Sequence, residues 1–260
     1  MEEKVYFKAS DGLKLCGILS SPRQKTQKCI ILCHGIGYHK DEDENIFKNF
    51  AKRLCDLGFA VFRFDFRGHG ESEGRSIDMT IAGETRDLEA AVKFLQDKGF
   101  EEFGILSQSF GGGAVSFFTS AHQEIVKALV LWNSVIDYAQ WINPTLPWPI
   151  KYWGKPAFER AEKFGFTEIG STKFKVGRKL MEEVMTLKPW KELLEILTPT
   201  LFVHGDKDNY VRVEDSIKYS HMMKNAKLEI IKGADHGFHE NQKFAEQGEK
   251  ATVDFLKKYL

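Results

Sequence analysis

The sequence predicts an α/β protein in which helices cover both faces of one mostly parallel, eight-stranded sheet that carries an inserted lid. Segments typical of strands and of helices alternate along nearly the whole chain of 260 residues, as expected of a sheet built from crossover connections. Several strand-like segments are uninterrupted apolar runs, which is typical of strands covered on both faces. The alternation stops for roughly 60 residues between Ser134 and Thr198, which is too long for an ordinary connection.

The chain begins with a predicted antiparallel pair of strands. Residues 4–8 alternate polar and apolar side chains, Asp11-Gly12 is a strong hairpin signal, and residues 13–19 form the return strand. Residues 29–33, Cys-Ile-Ile-Leu-Cys, are wholly apolar and are predicted to form the first fully buried strand. The further strands are predicted at residues 59–64, 103–106, 128–132, 200–203 and 227–231.

Helices are predicted where apolar side chains recur every three or four residues. In the first helix, Ile46, Phe50 and Leu54 share one face, and Gly58 provides a C-terminal cap. Gly99 likewise provides the C-terminal cap of the second helix. The predicted helices of the core cover residues 46–54, 80–98, 115–120, 213–223 and 244–259.

The interruption is predicted to form a lid at residues 135–190, inserted into a core made of residues 1–134 and 191–260. Its aromatic composition argues against a disordered linker, so we expect it to cover the ends of the strands. The elements expected within it are two strands at residues 164–169 and 173–176, paired around Gly170-Ser171-Thr172, and a helix at residues 178–185.

The composition excludes several classes of partner. Lys and Arg number 37, and Asp and Glu also number 37, so the formal net charge is zero and no nucleic-acid surface is expected. No apolar run is long enough to span a membrane, and the start, Met1-Glu-Glu-Lys4, lacks the pattern of a signal peptide. The four cysteines form no C-x-x-C pair, so we expect reduced, buried thiols and a cytoplasmic location.

The stretch from Gly104 to Gly112 carries the strongest chemical signal. An apolar strand runs into small residues and then into a helix, and Ser109 lies in the turn between them. Ser107 lies two residues before Ser109 and Gly111 two residues after it, which is the spacing of the nucleophile elbow G-x-S-x-G with serine in place of the first glycine. Because the turn brings the strand and the helix close together, the flanking residues must be small. Ser109 is therefore the predicted nucleophile.

Two further loops supply an acid and a base. Asp208 follows the strand at 200–203 and His236 follows the strand at 227–231, which gives the chain order Ser, Asp, His. Because the carboxyl ends of parallel strands meet at one edge of a sheet, we expect these loops to converge. A serine hydroxyl is inert near neutral pH and needs a base that a third group orients, and these two residues can fill those roles.

The combined pattern resembles the α/β-hydrolase superfamily throughout the chain. Residues 64–74 (FDFRGHGESEG) and 166–176 (FTEIGSTKFKV) also resemble bacterial cinnamoyl or feruloyl esterases, and monoacylglycerol lipase-like enzymes are similar. This resemblance implies an oxyanion hole made by the backbone N–H groups of Ile36 and Phe110. The sequence departs from the family at Ser107-Gln108, where Gly-His is common.

Each assignment has a rival in the sequence. Ser107 lacks a small residue at the right offset to be the nucleophile, Asp206 could instead brace a turn, and His239 lies three residues beyond the assigned base. The group Asp65, Arg67, His69 and Glu71 contains residue types used in catalysis, but we interpret it as a buried ion-pair network that fixes a loop. A metal cluster could be imagined from His204, Asp206, Asp208, His236 and His239. No helix places two of these residues at a ligand spacing such as H-E-x-x-H, so no metal is expected.

The sequence therefore predicts a serine esterase that needs no cofactor and acts on a small-molecule carboxylic ester, in particular a short acyl or an aromatic, hydroxycinnamoyl-type ester. Alternatives with the same triad are a lysophospholipase or monoacylglycerol lipase, a thioesterase and a peptidase. A different alternative is a non-catalytic ligand-binding protein with this fold. The candidate substrate-binding side chains are the lid aromatics Trp141, Trp148, Tyr152 and Trp153.

Overall fold

The strands follow the predicted alternation closely. The computed structural model describes residues 1–238 and 241–260. Its strands are β1 (Glu2–Lys8), β2 (Lys14–Ser20), β3 (Lys28–Cys33), β4 (Ala60–Phe64), β5 (Glu102–Gln108), β6 (Val126–Trp132), β7 (Phe166–Ile169), β8 (Phe174–Gly177), β9 (Thr200–Gly205) and β10 (Ala226–Ile231).

Eight of these strands form one sheet in the spatial order β1-β2-β4-β3-β5-β6-β9-β10. β2 pairs antiparallel with β1 and with β4, whereas the pairs from β4 onward are parallel. The predicted fold class, a mostly parallel eight-stranded sheet with helices on both faces, is therefore confirmed. The carboxyl ends of β3, β5, β9 and β10 lie at one edge, so the loops after them meet there.

The helices of the core begin and end within a few residues of the predicted positions, and Thr80 caps one of them by accepting a hydrogen bond from the Gly83 N–H at 2.9 Å. The helices of the described chain are α1 (Ile46–Asp56), α2 (Ile81–Asp97), α3 (Gly112–Ala121), α4 (Ala139–Ile142), α5 (Pro147–Tyr152), α6 (Lys155–Phe164), α7 (Arg178–Thr186), α8 (Pro189–Glu195), α9 (Val213–Met222) and α10 (Gln242–Tyr259).

Side chains of the central strands alternate between two buried layers. In β3, Ile31 packs into the layer formed by α2 and α3, whereas Ile30 and Leu32 pack into the layer formed by α1 and α10. Burying one such side chain contributes about 1.5–3 kcal/mol relative to leaving it in water. The sheet is thus held from both faces and provides a rigid support for the loops at its edge.

The segment between β6 and β9 contains more helix than the sequence indicated. β7 and β8 pair antiparallel as predicted, and α7 coincides with the predicted helix. The sequence analysis missed α4, α5, α6 and α8. Prolines in the first turn begin α5, α6 and α8, because a helix tolerates proline where no intrahelical N–H bond is needed. The division of the chain into a core and a lid at 135–190 stays a prediction.

Two predictions from the composition can be compared with the fold. All four cysteines are free; Cys16, Cys29 and Cys33 are buried as predicted, whereas Cys55 is only partly buried. The chain described here contains no helix of the length and apolar character needed to cross a membrane.

Candidate active site

β5 brings Ser109 to the edge of the sheet through a strained turn. β5 ends at Gln108, α3 begins at Gly112, and Ser109 between them has a φ of 52°. A left-handed conformation of this kind costs a non-glycine residue about 1–3 kcal/mol. A Cβ added to Gly111 would lie 2.8 Å from the His34 carbonyl oxygen, so the turn requires glycine there. The local geometry is the elbow that the small-residue spacing predicts.

The loops after β9 and β10 place Asp208 beside His236. His236 Nδ1 donates to Asp208 Oδ2 at 2.8 Å. The other carboxylate oxygen, Asp208 Oδ1, accepts from the backbone N–H groups of Tyr210 at 2.7 Å and Val211 at 2.9 Å. These two backbone bonds fix the rotation of the carboxylate, so that Oδ2 is left facing the imidazole.

The two side chains stabilise each other's charge. Burial favours the neutral form of Asp208, but the charge of His236 and hydrogen bonds from His204 and His236 outweigh it and hold the pKa of Asp208 well below its ordinary value. Burial likewise opposes charge on His236, yet Asp208 and Glu42 together raise the pKa of His236 above its ordinary value of 6.5. The pair is therefore an anionic carboxylate that orients a basic imidazole.

The rival residues have other positions. Ser107 is buried, and its Oγ lies 2.9 Å from Ser134 Oγ. Asp206 Oδ1 accepts from the Gly233 N–H at 2.5 Å, which is the turn-bracing contact considered as its alternative role. His239 lies outside the described residues.

The loop after β3 presents one backbone donor between two that already have acceptors. The Gly35 N–H donates to Glu42 Oε2 at 2.7 Å, and the Gly37 N–H donates to His69 Nε2 at 3.1 Å. The Ile36 N–H between them has no acceptor among residues 1–238 and 241–260, and Ile36 lines the same cavity as Ser109. Burial lowers the pKa of His69 to about 3, so its Nε2 is a neutral acceptor near pH 7.

The interpretation of the loop after β4 as a buried ion-pair network is confirmed for Asp65 and Arg67, whereas Glu71 forms ion pairs but is exposed. Lys40 Nζ lies 2.9 Å from both Asp65 Oδ2 and Glu71 Oε1, and Arg67 Nη2 lies 2.7 Å from Asp87 Oδ1. These contacts tie the loop to the rest of the core. The fourth member, the neutral His69, instead bonds the loop after β3, a role that the sequence analysis did not assign.

The same network contains a group of side chains with metal-binding atoms. The ligand atoms of Cys16, Asp65 and Glu71 lie within 4.8 Å of one another. The ammonium of Lys40, however, already contacts both carboxylates, and that of Lys4 also pairs with Glu71, so two cations balance the two negative charges. We therefore assign no metal to this group.

Ser109, His236 and Ile36 line one cavity of about 530 Å³ at the carboxyl edge of the sheet. Three of the four lid aromatics named in the sequence analysis, Trp141, Trp148 and Tyr152, are part of its wall. Further side chains that line the cavity include Glu42, Ile169, Phe174, Tyr210 and Val211.

The fourth lid aromatic, Trp153, does not line the cavity. It is buried, and its ring lies 4.3 Å from that of Trp141, so it supports the wall from behind. The sequence analysis missed Tyr210, whose ring stacks on the imidazole of His236 at 4.7 Å and 12°. It also missed Phe174, which stacks on His69 at 4.7 Å. The position of Tyr210 two residues after Asp208 was the one feature of the sequence that could have indicated Tyr210 as a residue of the site.

Comparison with known proteins agrees with this architecture. A family model described as the alpha/beta hydrolase fold matches residues 28–180, which is more than half of the chain. The chain belongs to the alpha/beta hydrolase family. This match covers β3 to β8 and the first residues of α7, and it includes the loop after β3 and the elbow at Ser109.

Relatives of this alpha/beta hydrolase include esterases and lipases. The monoacylglycerol lipase of Mycolicibacterium smegmatis is 22% identical over 231 residues, which cover 81% of this chain and 80% of that protein. A 31.7 kDa protein of Escherichia coli, named as uncharacterized, is 32% identical over 104 residues. That match covers 39% of this chain and only 35% of the relative's length.

The structure of Est1E from Butyrivibrio proteoclasticus with ferulic acid bound superposes on this hydrolase with a TM-score of 0.81. The two sequences are 23% identical, and the match covers 97% of this chain and 99% of that one. At this identity the match supports the fold. The resemblance to feruloyl esterases and monoacylglycerol lipase-like enzymes that the sequence analysis stated is confirmed.

Proposed function

We propose that this hydrolase is a serine esterase that cleaves carboxylic esters through Ser109, His236 and Asp208. The observation that carries the proposal is the 2.8 Å hydrogen bond from His236 Nδ1 to Asp208 Oδ2, in a cavity that also contains Ser109. Nδ1 then holds a proton, so Nε2 is the basic nitrogen. Ser109, at the strained elbow, lines this cavity together with His236.

In the proposed reaction, His236 Nε2 takes the proton of Ser109 Oγ as that oxygen attacks the ester carbonyl. The carbonyl oxygen becomes an oxyanion, which the N–H groups of Ile36 and Phe110 bind. The imidazolium, stabilised by Asp208, then protonates the leaving alcohol. Water attacks the acyl-enzyme with His236 as base, which releases the acid and restores the serine.

We further propose that the substrate is a short acyl or an aromatic ester. Trp141, Trp148 and Phe174 give the cavity flat apolar walls that suit a planar acyl group. Est1E, which has the same fold, binds ferulic acid, and this supports an aromatic substrate. Prolines that begin three of the lid helices stiffen the insertion, so activation at a lipid surface is not expected.

Measuring kcat/KM on p-nitrophenyl esters of increasing chain length, beside methyl ferulate, tests the substrate class. We expect the highest values for short acyl or aromatic esters and no increase when long-chain triglyceride is emulsified. A rate that rises sharply on emulsified triglyceride and is poor on short and aromatic esters would favour a true lipase. Labelling of Ser109 by an organophosphonate distinguishes an enzyme from a non-catalytic binding protein.

Replacing Ile36 by proline is expected to lower kcat by about 10² to 10³, because the substitution deletes one oxyanion donor. KM should change little, since this donor acts mainly in the transition state. Steady-state kinetics on an activated ester measures the effect. Circular dichroism and a melting curve must accompany it, because proline can distort the loop. A folded variant with unchanged kcat would assign the second donor to another residue.

The pH dependence of kcat/KM should report the ionisation of His236. Asp208 and Glu42 raise the pKa of His236, so the base form appears only as the pH rises through a value above 6.5. The rate on a neutral ester should therefore rise with a midpoint above that of a free histidine. In Asp208→Asn the midpoint of the residual activity should be lower. A midpoint below 6 in the wild type would contradict the arrangement.

A further inference from the structure

The cavity contains a buried acid that the proposed triad does not use. Glu42 lies in the loop between β3 and α1, is 4% exposed, and lines the cavity together with Ser109 and His236. No Lys or Arg forms an ion pair with it in the part of the chain that the structure describes. A carboxyl group buried without a cation is unfavourable, so its presence here needs a reason.

The backbone of Glu42 is also strained. Its φ is 58° and its ψ is −177°, at the border of a region that glycine almost alone adopts. Glycine would satisfy this backbone without strain, whereas glutamate adds both strain and a buried carboxyl. Two unfavourable features at one residue that lines the cavity indicate that the side chain has a role in the site.

The contact that the carboxyl makes identifies this role. Glu42 Oε2 accepts from the Gly35 N–H at 2.7 Å. Gly35 lies directly against the elbow, since a Cβ added to it would be 3.1 Å from the Cβ of Ser109. The carboxyl therefore holds the peptide plane next to the Ile36 amide, and His69 holds the following amide, that of Gly37.

We propose that Glu42 is a positioning residue that fixes the loop after β3 so that the Ile36 N–H is presented to the oxyanion. Its carboxylate also lines the cavity that contains His236 and stabilises the imidazolium that forms during the reaction. This inference rests on the proposed function. It assigns to Glu42 no contact with the substrate, only an action through the Gly35 amide and through His236.

The charges around Glu42 are consistent with this role. Burial raises the pKa of Glu42 to about 7, against the lowering effects of the Gly35 and Asp43 N–H groups and of His236, and the Asp43 carboxyl raises it further. Asp208, Glu42 and Asp235 are the acids that raise the pKa of His236. Glu42 is thus partly ionised near neutral pH, where its charge can assist the imidazolium.

Two substitutions separate the hydrogen bond from the charge. Glu42→Gln keeps an acceptor for the Gly35 N–H but has no charge. Glu42→Gly removes the acceptor and also relieves the backbone strain at position 42. Glu44→Gly is the matched control, because Glu44 lies in the same loop with a φ of 49° but is exposed and away from the cavity. Each protein is assayed for kcat, KM, pH profile and Tm.

We expect Glu42→Gly to lower kcat by about 10- to 100-fold with little change in KM, because it loosens one oxyanion donor. Its Tm should not fall, since the strain is relieved. Glu42→Gln should keep kcat within a few-fold, with the pH midpoint shifted downward because one of the anions that raise the pKa of His236 is lost. Glu44→Gly should behave as the wild type.

Unchanged kcat in Glu42→Gly would overturn the role of Glu42 and leave the proposed function standing, provided that Ser109→Ala is inactive. A loss in Glu42→Gln as large as that in Glu42→Gly would overturn the hydrogen-bond account. Amide hydrogen exchange at Gly35 adds a readout independent of activity. The exchange should accelerate in Glu42→Gly and not in Glu42→Gln. Equal protection of the Gly35 amide in the wild type and in both Glu42 variants would overturn the proposal, even if the triad were assigned incorrectly.

Discussion

Replacing Ser109 by alanine is expected to lower kcat by roughly 10⁴ to 10⁶, the range found when the serine of a triad is removed. The substitution deletes the attacking oxygen and leaves the cavity, His236 and Asp208 unchanged. Alanine meets the same left-handed backbone at this position as serine does, so the melting temperature should change little. Single-turnover and steady-state kinetics on an activated ester measure the loss.

Ser107→Ala is the control for this experiment. Ser107 lies on the same strand end, but its hydroxyl contacts Ser134 and does not line the cavity. Ser134 keeps its contacts to the Ser107 and Trp132 carbonyl oxygens in this variant, so activity should remain within a few-fold of the wild type. Near-normal turnover in pure, folded Ser109→Ala would refute the assignment of the nucleophile and, with it, the proposed mechanism.

The second large effect is expected for Asp208→Asn, at about 10⁴ in kcat. The N–H groups of Tyr210 and Val211 donate to Asp208 Oδ1, so the oxygen of the new amide must take that position. The amide nitrogen then faces His236 Nδ1 and donates to it. This forces the proton of the imidazole to Nε2, where it blocks the abstraction of the proton from Ser109.

Asp206→Asn tests the specificity of this effect. Asp206 accepts a turn-bracing hydrogen bond from the Gly233 N–H, which an amide oxygen can also accept. We expect a small change in kcat and at most a small loss of stability. NMR of the His236 ring protons should show a changed tautomer in Asp208→Asn alone. If Asp206→Asn were the more damaging variant, the acid would have to be reassigned to Asp206.

The strands and the core helices could be predicted because their signals are local. An uninterrupted apolar run such as Cys29 to Cys33 indicates a buried strand wherever it occurs, and the structure extends it by one residue, to Lys28. The helices α4, α5 and α8 could not be predicted in this way, because their four, six and seven residues are too few to display a periodic apolar face. They are held by packing such as that of Trp141 on Phe110 at 5.2 Å. The helix α6 does place Ala157 and Ala161 on one buried face, a local signal that the sequence analysis missed.

The candidate site likewise has residues that sequence motifs indicate and contacts that they do not. Ser109, Asp208 and His236 follow strand ends in a fixed order, and each lies in a short motif that a single sequence displays. The contact of Glu42 with Gly35 lies within the loop after β3. Those of His69 with Gly37 and of Tyr210 with His236 join loops that follow different strands. No spacing rule reports such contacts, because they depend on how closely the loops approach one another.

By itself, the sequence determined the order of the strands and of the core helices, the turn at Ser109 and the residues of the proposed triad, because hydrophobic periodicity and small-residue spacing act over a few neighbours. Only the tertiary structure decided which aromatic rings line the cavity, which carboxylate oxygen faces His236, and which amide of the loop after β3 remains free. Those outcomes depend on distances of about 3–5 Å between residues that lie from 7 to several tens of positions apart in the chain. At such distances packing and hydrogen-bond geometry select one partner among several chemically equivalent ones.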